Sequence, residues 1–229
     1  MRNVTRARDA RLGGRPMPAE PALPRQILEP FFAHGITRVH EPNDVIISAG
    51  DFSSELYYVV RGSVVVQFED SEGHEIILAY LHEGEMFGEI GLFDEHNERS
   101  AWVRARTNCE IAQISYDAMK RIVSDEPQAV FEMLSQLALR VRNTSLKASA
   151  LAFTDVAGRV ARVLLDLCDQ PDAITHPDGT KLITTRQELS RLAGCSREMV
   201  SRVLRVLEDR QTIALEGRAI IVFPQEESS

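Results

Sequence analysis

The chain predicts an α+β protein: an N-terminal antiparallel β-roll or small barrel, a long helix, and a C-terminal winged helix-turn-helix. Three observations predict it. Short β-branched and aromatic runs, punctuated by glycine turns, fill residues 38–115. Residues 126–153 contain no Pro or Gly after Pro127 and place apolar residues at steps of three and four. Two capped helical segments then meet at Gly194, with a strand pair behind them.

Bulk properties narrow the function. At 229 residues the chain can bury two modest cores, and 44% hydrophobic with 26% charged residues is ordinary for a globular protein. No apolar run approaches the roughly 18 residues of a membrane span, and no apolar secretory segment opens the chain, so a cytoplasmic protein without a membrane partner is expected. Cys109, Cys168 and Cys195 are scattered without CxxC spacing, and the histidines show no HExxH pattern, so neither disulfide nor metal is expected. No nucleophile–base pairing or P-loop points to an enzyme. A net charge of −8 disfavours DNA as an average, but DNA meets only one face. Residues 181–205 carry six basic residues against Glu188 and Glu198, a local +4.

Residues 1–25 mix Arg2, Arg6, Arg8, Arg11, Arg15 and Arg25 with four prolines, and read as a disordered, solvated leader. Met17 is an alternative start. Residues 26–125 form the roll. Strands are expected at 56–60, 64–68 and 75–80, with turns at Arg61-Gly62-Ser63 and Asp70-Ser71-Glu72-Gly73. Residues 126–154 are a helix and hinge. Phe131, Leu134, Ala138, Val141, Ser145, Ala148 and Ala152 make a heptad seam that either packs on the chain's own roll or pairs in a parallel dimer. A DNA-reading end that wants a two-fold partner favours the dimer. Residues 155–229 are the winged unit. Asp155, Thr185 and Ser196 read as N-caps, 169–179 as a polar loop, and Glu216-Gly217-Arg218 as the wing turn.

Two constellations carry chemistry. A bihelical unit turning at one glycine sets its second helix into a major groove. Arg197, Glu198 and Arg202 lie near the start of that helix, where Arg matches guanine and Glu accepts from cytosine. Arg186, Arg191 and Arg205 suit phosphates, and Ser196 stands at the helix start. A solvated charged helix is the bland alternative. The second constellation is Phe87-Gly88-Glu89-Ile90-Gly91-Leu92 followed by Arg99-Ser100-Ala101. Glycine lets backbone approach an anion, Arg99 offers a phosphate fork, Ser100 a hydroxyl donor, and Glu89 an acceptor for a ribose hydroxyl. Unaided, such a turn and an Arg-Ser pair are common.

Gly88-Glu89-Ile90-Gly91-Leu92-Phe93 and Glu98-Arg99-Ser100-Ala101-Trp102-Val103-Arg104-Ala105 resemble the phosphate-binding cassette of the cyclic-AMP receptor protein family. Residues 151–159 resemble its hinge, 170–179 its polymerase-contacting loop, and 185–198 its helix-turn-helix; the likeness runs from about Phe31 to Val222. It implies a cyclic-nucleotide-binding jelly roll with cyclic AMP as allosteric effector. Gly88, Glu89, Arg99 and Ser100 would hold ribose and phosphate. Thr144, and Ser145 from the partner subunit, would hold adenine, with Arg140 nearby. It further implies a homodimer reading TGTGA-type half-sites in double-stranded DNA, and RNA polymerase meeting the loop at Thr175 and His176.

The chain departs from the family pattern at its N-terminal extension and at 223–229. Ile36 and Ala118 also stand where some members carry basic residues for a second polymerase contact. Iron–sulfur sensing needs an N-terminal cysteine cluster, and no cysteine precedes Cys109. A haem ligand set would have to draw on roll histidines such as His74 and His82, which read more simply as surface strand residues. The nearest alternatives are a cyclic di-GMP response, in relatives whose cassette departs from Arg-Ser-Ala, and ligand-independent DNA binding.

Overall fold

The computed structural model describes residues 25–94 and 98–224, with the backbone alone for 25–28 and 30. Residues 1–24 of the Arg/Pro leader, Met17 included, lie outside the described residues, as does the end at 225–229; Arg25, read as the end of a disordered leader, instead begins a helix.

The N-terminal half runs α1 (Arg25–His34), β1 (Ile36–His40), β2 (Val45–Ile47), β3 (Glu55–Arg61), β4 (Ser63–Glu69), β5 (Glu75–His82), β6 (Met86–Phe87), α2 (Ile90–Phe93), β7 (Trp102–Ala105) and β8 (Cys109–Ser115). Its strands form two antiparallel four-stranded sheets, ordered β1-β8-β3-β6 and β2-β7-β4-β5. The three expected strand runs fall within β3, β4 and β5. The turns between them use Gly62 (φ +84°) and Gly73 (φ +80°), where a Cβ would be strained. Tyr57, Val59, Val64, Leu81, Phe87, Val103 and Ile111 fill the space between the sheets.

Two helices interrupt the strand-and-turn reading. α1 and α3 (Tyr116–Asp125) close one end of the roll over a second core containing Phe31, Leu56, Met119, Ile122 and Met133. α3 buries Tyr116, Ala118, Met119 and Ile122 on one face. This short helix falls in the span assigned to the roll, directly after its last strand.

α4 (Gln128–Phe153) buries Ala129, Met133 and Gln136 against the roll. Gln136 bonds both ways to the β5–β6 turn: its Nε2 donates to the Gly84 carbonyl (3.0 Å) and its Oε1 accepts from Met86 N (2.9 Å). The heptad seam faces the other way. Phe131 is 63% exposed, Leu134 50% and Val141 65%. Packing of the seam on the chain's own roll is therefore overturned.

α5 (Val156–Cys168), β9 (Ile174–His176), β10 (Gly179–Ile183), α6 (Arg186–Ala193), α7 (Arg197–Asp209), β11 (Ile213–Glu216) and β12 (Ala219–Val222) complete the chain. Asp155 caps α5 by accepting from Gly158 N at 2.7 Å. The sheet order is β11-β12-β10-β9. The segment 169–179 is thus more than a loop: Ile174 and Thr175 extend the wing sheet by a strand, their backbone groups pairing with Lys181 and Thr180. Val160, Leu164, Leu182, Leu189, Val200, Leu204 and Ile220 form one core beneath both helices of the bihelical unit. Among the described residues, no helix is long and apolar enough to cross a membrane.

Candidate functional site

β6 delivers Gly88 to the rim of the roll, and Glu89 stands at the start of α2. Arg99 arrives from the segment before β7 and is only 8% exposed. Its Nη1 donates to the Gly88 carbonyl (2.9 Å) and to Tyr116 Oη (3.2 Å), and its Nη2 to the Glu55 carbonyl (2.8 Å). The Tyr57 ring lies 5.4 Å from the guanidinium carbon. Tyr116 Oη donates to the Gly88 carbonyl (2.5 Å), so the hydrogen bond between Ser53 Oγ and Tyr116 Oη (2.5 Å) must be donated by Ser53. Gly88 sits at φ +79°, and a Cβ there would stand 2.7 Å from Arg99 Nη1. Glycine is required twice over at this position.

Among the described residues Arg99 meets carbonyls and a hydroxyl, and no carboxylate. A buried guanidinium whose described acceptors are neutral has no described carboxylate partner, and its chemistry suits an anion. Glu89, 6% exposed, accepts from Arg140 Nη1 (3.0 Å), and Arg140 Nη2 donates to the Met86 carbonyl (2.7 Å). Gly88, Glu89, Arg99 and Arg140 are thus brought together from three elements. Ser100 lies beside them, exposed. Thr144 is exposed one turn beyond Arg140 on α4, and Ser145 is exposed on the seam. The chain's own fold does not enclose these last two. Burial and the Glu55 carboxylate push the Tyr57 hydroxyl up to about 12, so it stays a neutral donor to Glu55 Oε2 at 3.0 Å. Ser53, Glu55, Tyr57 and Tyr116 were invisible as site residues in the sequence, because their hydroxyls and carbonyls carry no spacing signal. The described residues contain no cluster of His, Cys, Asp and Glu able to hold a metal.

The second candidate surface lies at the other end. Thr185 caps α6 by accepting from Glu188 N (3.1 Å), and Ser196 caps α7 by accepting from Met199 N (3.2 Å). Gly194 makes the turn in the left-handed region at φ +59°. Arg159 ties this turn to α5, donating Nε to the Ala193 carbonyl (2.9 Å) and Nη2 to that of Gly194 (3.3 Å). α7 buries Val200, Val203 and Leu204 and leaves Arg197, Glu198, Arg202 and Arg205 exposed, as is Arg186 at the start of α6. Arg191 departs from expectation. It is ion-paired to Glu75 on β5 rather than turned toward a nucleic acid, because α6 rests on the roll. Thr175 is exposed in β9, while His176 Nδ1 accepts from Asp178 N at 3.3 Å.

Residues 37–126 match the cyclic nucleotide-binding domain, and residues 158–227 the Crp-like helix-turn-helix domain. The chain is 46% identical over 196 residues to the cAMP-activated global transcriptional regulator CRP of Salmonella typhimurium, covering 86% of this chain and 93% of that protein. It belongs to the CRP family of transcription regulators. The cAMP-activated global transcriptional regulator Vfr of Pseudomonas aeruginosa is also 46% identical, over 199 residues, 86% of this chain and 93% of that one. Among solved structures, the c-di-GMP-responsive global regulator CLP of Xanthomonas campestris superposes with a TM-score of 0.83 at 38% identity, covering 88% of this chain and 100% of that one. As a CRP-family member the protein is a regulator and not an enzyme. Its roll is a cyclic-nucleotide sensor, and its bihelical unit a DNA-binding domain.

Proposed function

We propose that this CRP-family regulator is a cytoplasmic homodimer switched by cyclic AMP, that it reads TGTGA-type palindromic DNA, and that it recruits RNA polymerase. The single observation that carries the ligand reading is Arg99. A buried positive charge beside the Gly88 backbone and the Glu89 carboxylate suits one phosphodiester joined to one ribose. Ser100 adds a donor at the rim, and Thr144 and Ser145 are exposed where an adenine amino group would need partners. The 46% identity to two regulators named as cAMP-activated supports the same choice.

The exposed seam of Phe131, Leu134 and Val141 supports the dimer, since apolar side chains at heptad spacing gain most by facing a copy of themselves. In that dimer Ser145 of each chain meets the other subunit's ligand, tying nucleotide binding to the interface. Arg197, Glu198 and Arg202 then contact base edges, with Ser196, Arg186 and Arg205 at phosphates. Thr175 and His176 present the polymerase-facing edge of β9. The ligand shifts a population between two arrangements only by its differential affinity for them.

A cyclic di-GMP response is the second reading, favoured by the 38% identical structural neighbour CLP. Binding to a duplex with two TGTGA half-sites, titrated with cyclic AMP, cyclic GMP and cyclic di-GMP at fixed salt, decides. Tight binding induced by cyclic AMP alone is the expected result. Induction or release by cyclic di-GMP alone sinks the cyclic AMP assignment. Binding indifferent to every nucleotide means a ligand-independent DNA binder.

A further inference from the structure

The DNA-binding domain does not hang free from α4. It is docked on the outer face of the β2-β7-β4-β5 sheet through polar contacts that have Arg106 at their centre. Arg106 follows β7 directly, is 16% exposed, and pairs through Nη2 with Asp172 at 2.7 Å and through Nε with Glu188 on α6 at 3.6 Å. Its guanidinium carbon lies 4.1 Å from the centroid of the Tyr80 ring, and Tyr80 Oη donates to the same Glu188 carboxylate at 2.5 Å. Thr184 Oγ1 holds the other Glu188 oxygen at 2.9 Å. Around this hub His82 Nε2–H donates to Gln170 Oε1 (2.7 Å) and Arg191 pairs with Glu75. Tyr80 also packs against the apolar core of the DNA-binding domain, and a cleft of about 440 Å³ opens beside the hub, lined by Gln67, Glu75, Arg104 and Gln187.

A seam of this kind is directional. Apolar surfaces slide at little cost, whereas an arginine stacked on a ring and forked onto two carboxylates has few alternative geometries. The two carboxylates belong to different parts of the DNA-binding domain, Asp172 to the segment before β9 and Glu188 to the first helix of the bihelical unit. Fixing both fixes the rotation of the domain. Docked in this way, the face bearing Arg197, Glu198 and Arg202 stays exposed, so the arrangement presents the recognition helix. β7 also carries the sensor segment: Arg99 lies just before it and Arg106 just after it, in a strand paired on both edges.

We propose that Arg106 is a positioning residue: clamped by Tyr80, Asp172 and Glu188, it sets the orientation of the DNA-binding domain on the sensor roll and holds it in the DNA-binding arrangement. The inference rests on the DNA-binding reading above. Its test uses the full chain as wild type, Arg106→Gln, Asp172→Asn and the double variant, with a labelled duplex carrying two TGTGA half-sites at saturating cyclic AMP. Arg106 and Asp172 are not among the residues assigned to DNA, so removing their charges does not remove a DNA contact.

Arg106→Gln is expected to weaken DNA binding about tenfold and Asp172→Asn about threefold. The double variant is expected to bind no worse than Arg106→Gln, with the unfolding midpoint of the roll unchanged. Amide exchange in α6 and β9, measured without DNA, is expected to quicken in each variant. Wild-type affinity in all variants, losses that multiply, or tighter binding by Arg106→Gln each overturn the proposal. If the wild type fails to bind the duplex, the DNA reading falls, and the exchange measurement still decides the clamp: unchanged protection in α6 and β9 refutes it.

Discussion

The protein uses arginine in two opposite ways at its two ends. In the sensor roll Arg99 is buried, stacked on Tyr57 and bonded to two carbonyls, so its position is set before any ligand arrives. On α7, Arg197, Arg202 and Arg205 are exposed on a helix anchored only through its opposite face. The difference suits the two ligands proposed above. A small anion gains affinity from a charge already ordered and partly stripped of water. A duplex offers many phosphates and base edges, and side chains that keep their hydration until contact adapt to it and lend salt-dependent affinity.

The largest effect should come from breaking the buried member. Arg99→Leu removes the guanidinium and leaves the Glu55 carbonyl without its arginine donor, at about 1–3 kcal/mol for a buried unmet group, while Tyr116 still donates to the Gly88 carbonyl. Calorimetric titration should show cyclic AMP affinity falling at least about a hundredfold, and the roll should melt earlier. Arg202→Ala should do the reverse, costing about 1–3 kcal/mol of specific DNA binding with little change in melting temperature. If Arg202→Ala destabilises the fold as Arg99→Leu does, the contrast fails.

Glycine sharpens the same contrast at the next magnitude. A Cβ on Gly91 would lie 2.2 Å from Ser53 Oγ and 2.9 Å from Tyr116 Oη, inside the network that holds Gly88 and Arg99. Gly91→Ala should therefore cost about 1–3 kcal/mol in urea unfolding and weaken nucleotide binding with it. Gly217, at the wing turn, has φ +61° but open space around it. There Gly217→Asn should be nearly neutral, because Asn tolerates that backbone.

Two half-buried bases, Lys147 on α4 and His82 on β5, give pH-dependent effects. Burial pushes the Lys147 ammonium down to about 8, against roughly 10.4 in an unfolded chain. Between those values the unfolded chain holds more protons, so the contribution of Lys147 to stability rises with pH across that window. The stability of wild type minus that of Lys147→Met should climb by up to about 3 kcal/mol from pH 8 to pH 10.4. A flat difference would mean that the ammonium is hydrated. Burial likewise lowers His82 below its ordinary value, so it stays neutral in the fold. Its share of stability is present above about pH 6.5 and falls as pH drops below that value. His82→Gln should remove that smaller acid-side loss in unfolding measured between pH 7 and pH 5.

Much of the site was legible because its signals are local. The caps at Asp155, Thr185 and Ser196 hydrogen-bond three residues ahead, and the turns at Gly62, Gly73, Gly194 and Gly217 demand a left-handed backbone. Each is a contract among neighbours that a linear reading can see. The seam on α4 was legible in its spacing, but which way it faced was not, since own-roll packing and dimer contact share one pattern. Arg191 shows the limit from the other side. Its place in a basic stretch suited phosphate, yet α6 lies against β5 and Glu75 takes it.

The sequence by itself determined the order roll, long helix and capped bihelical unit with its wing, and the residue types gathered in the cassette, because these follow from interactions spanning a few positions; the helices α1 and α3 and the strand β9 were not among them. Only the tertiary structure decided that Arg99 is held by Glu55, Gly88 and Tyr116, that Glu89 answers Arg140, and that Arg106 binds the two halves together. Those partners lie far apart along the chain. They meet only where two sheets and two domains close on each other, which no local preference encodes.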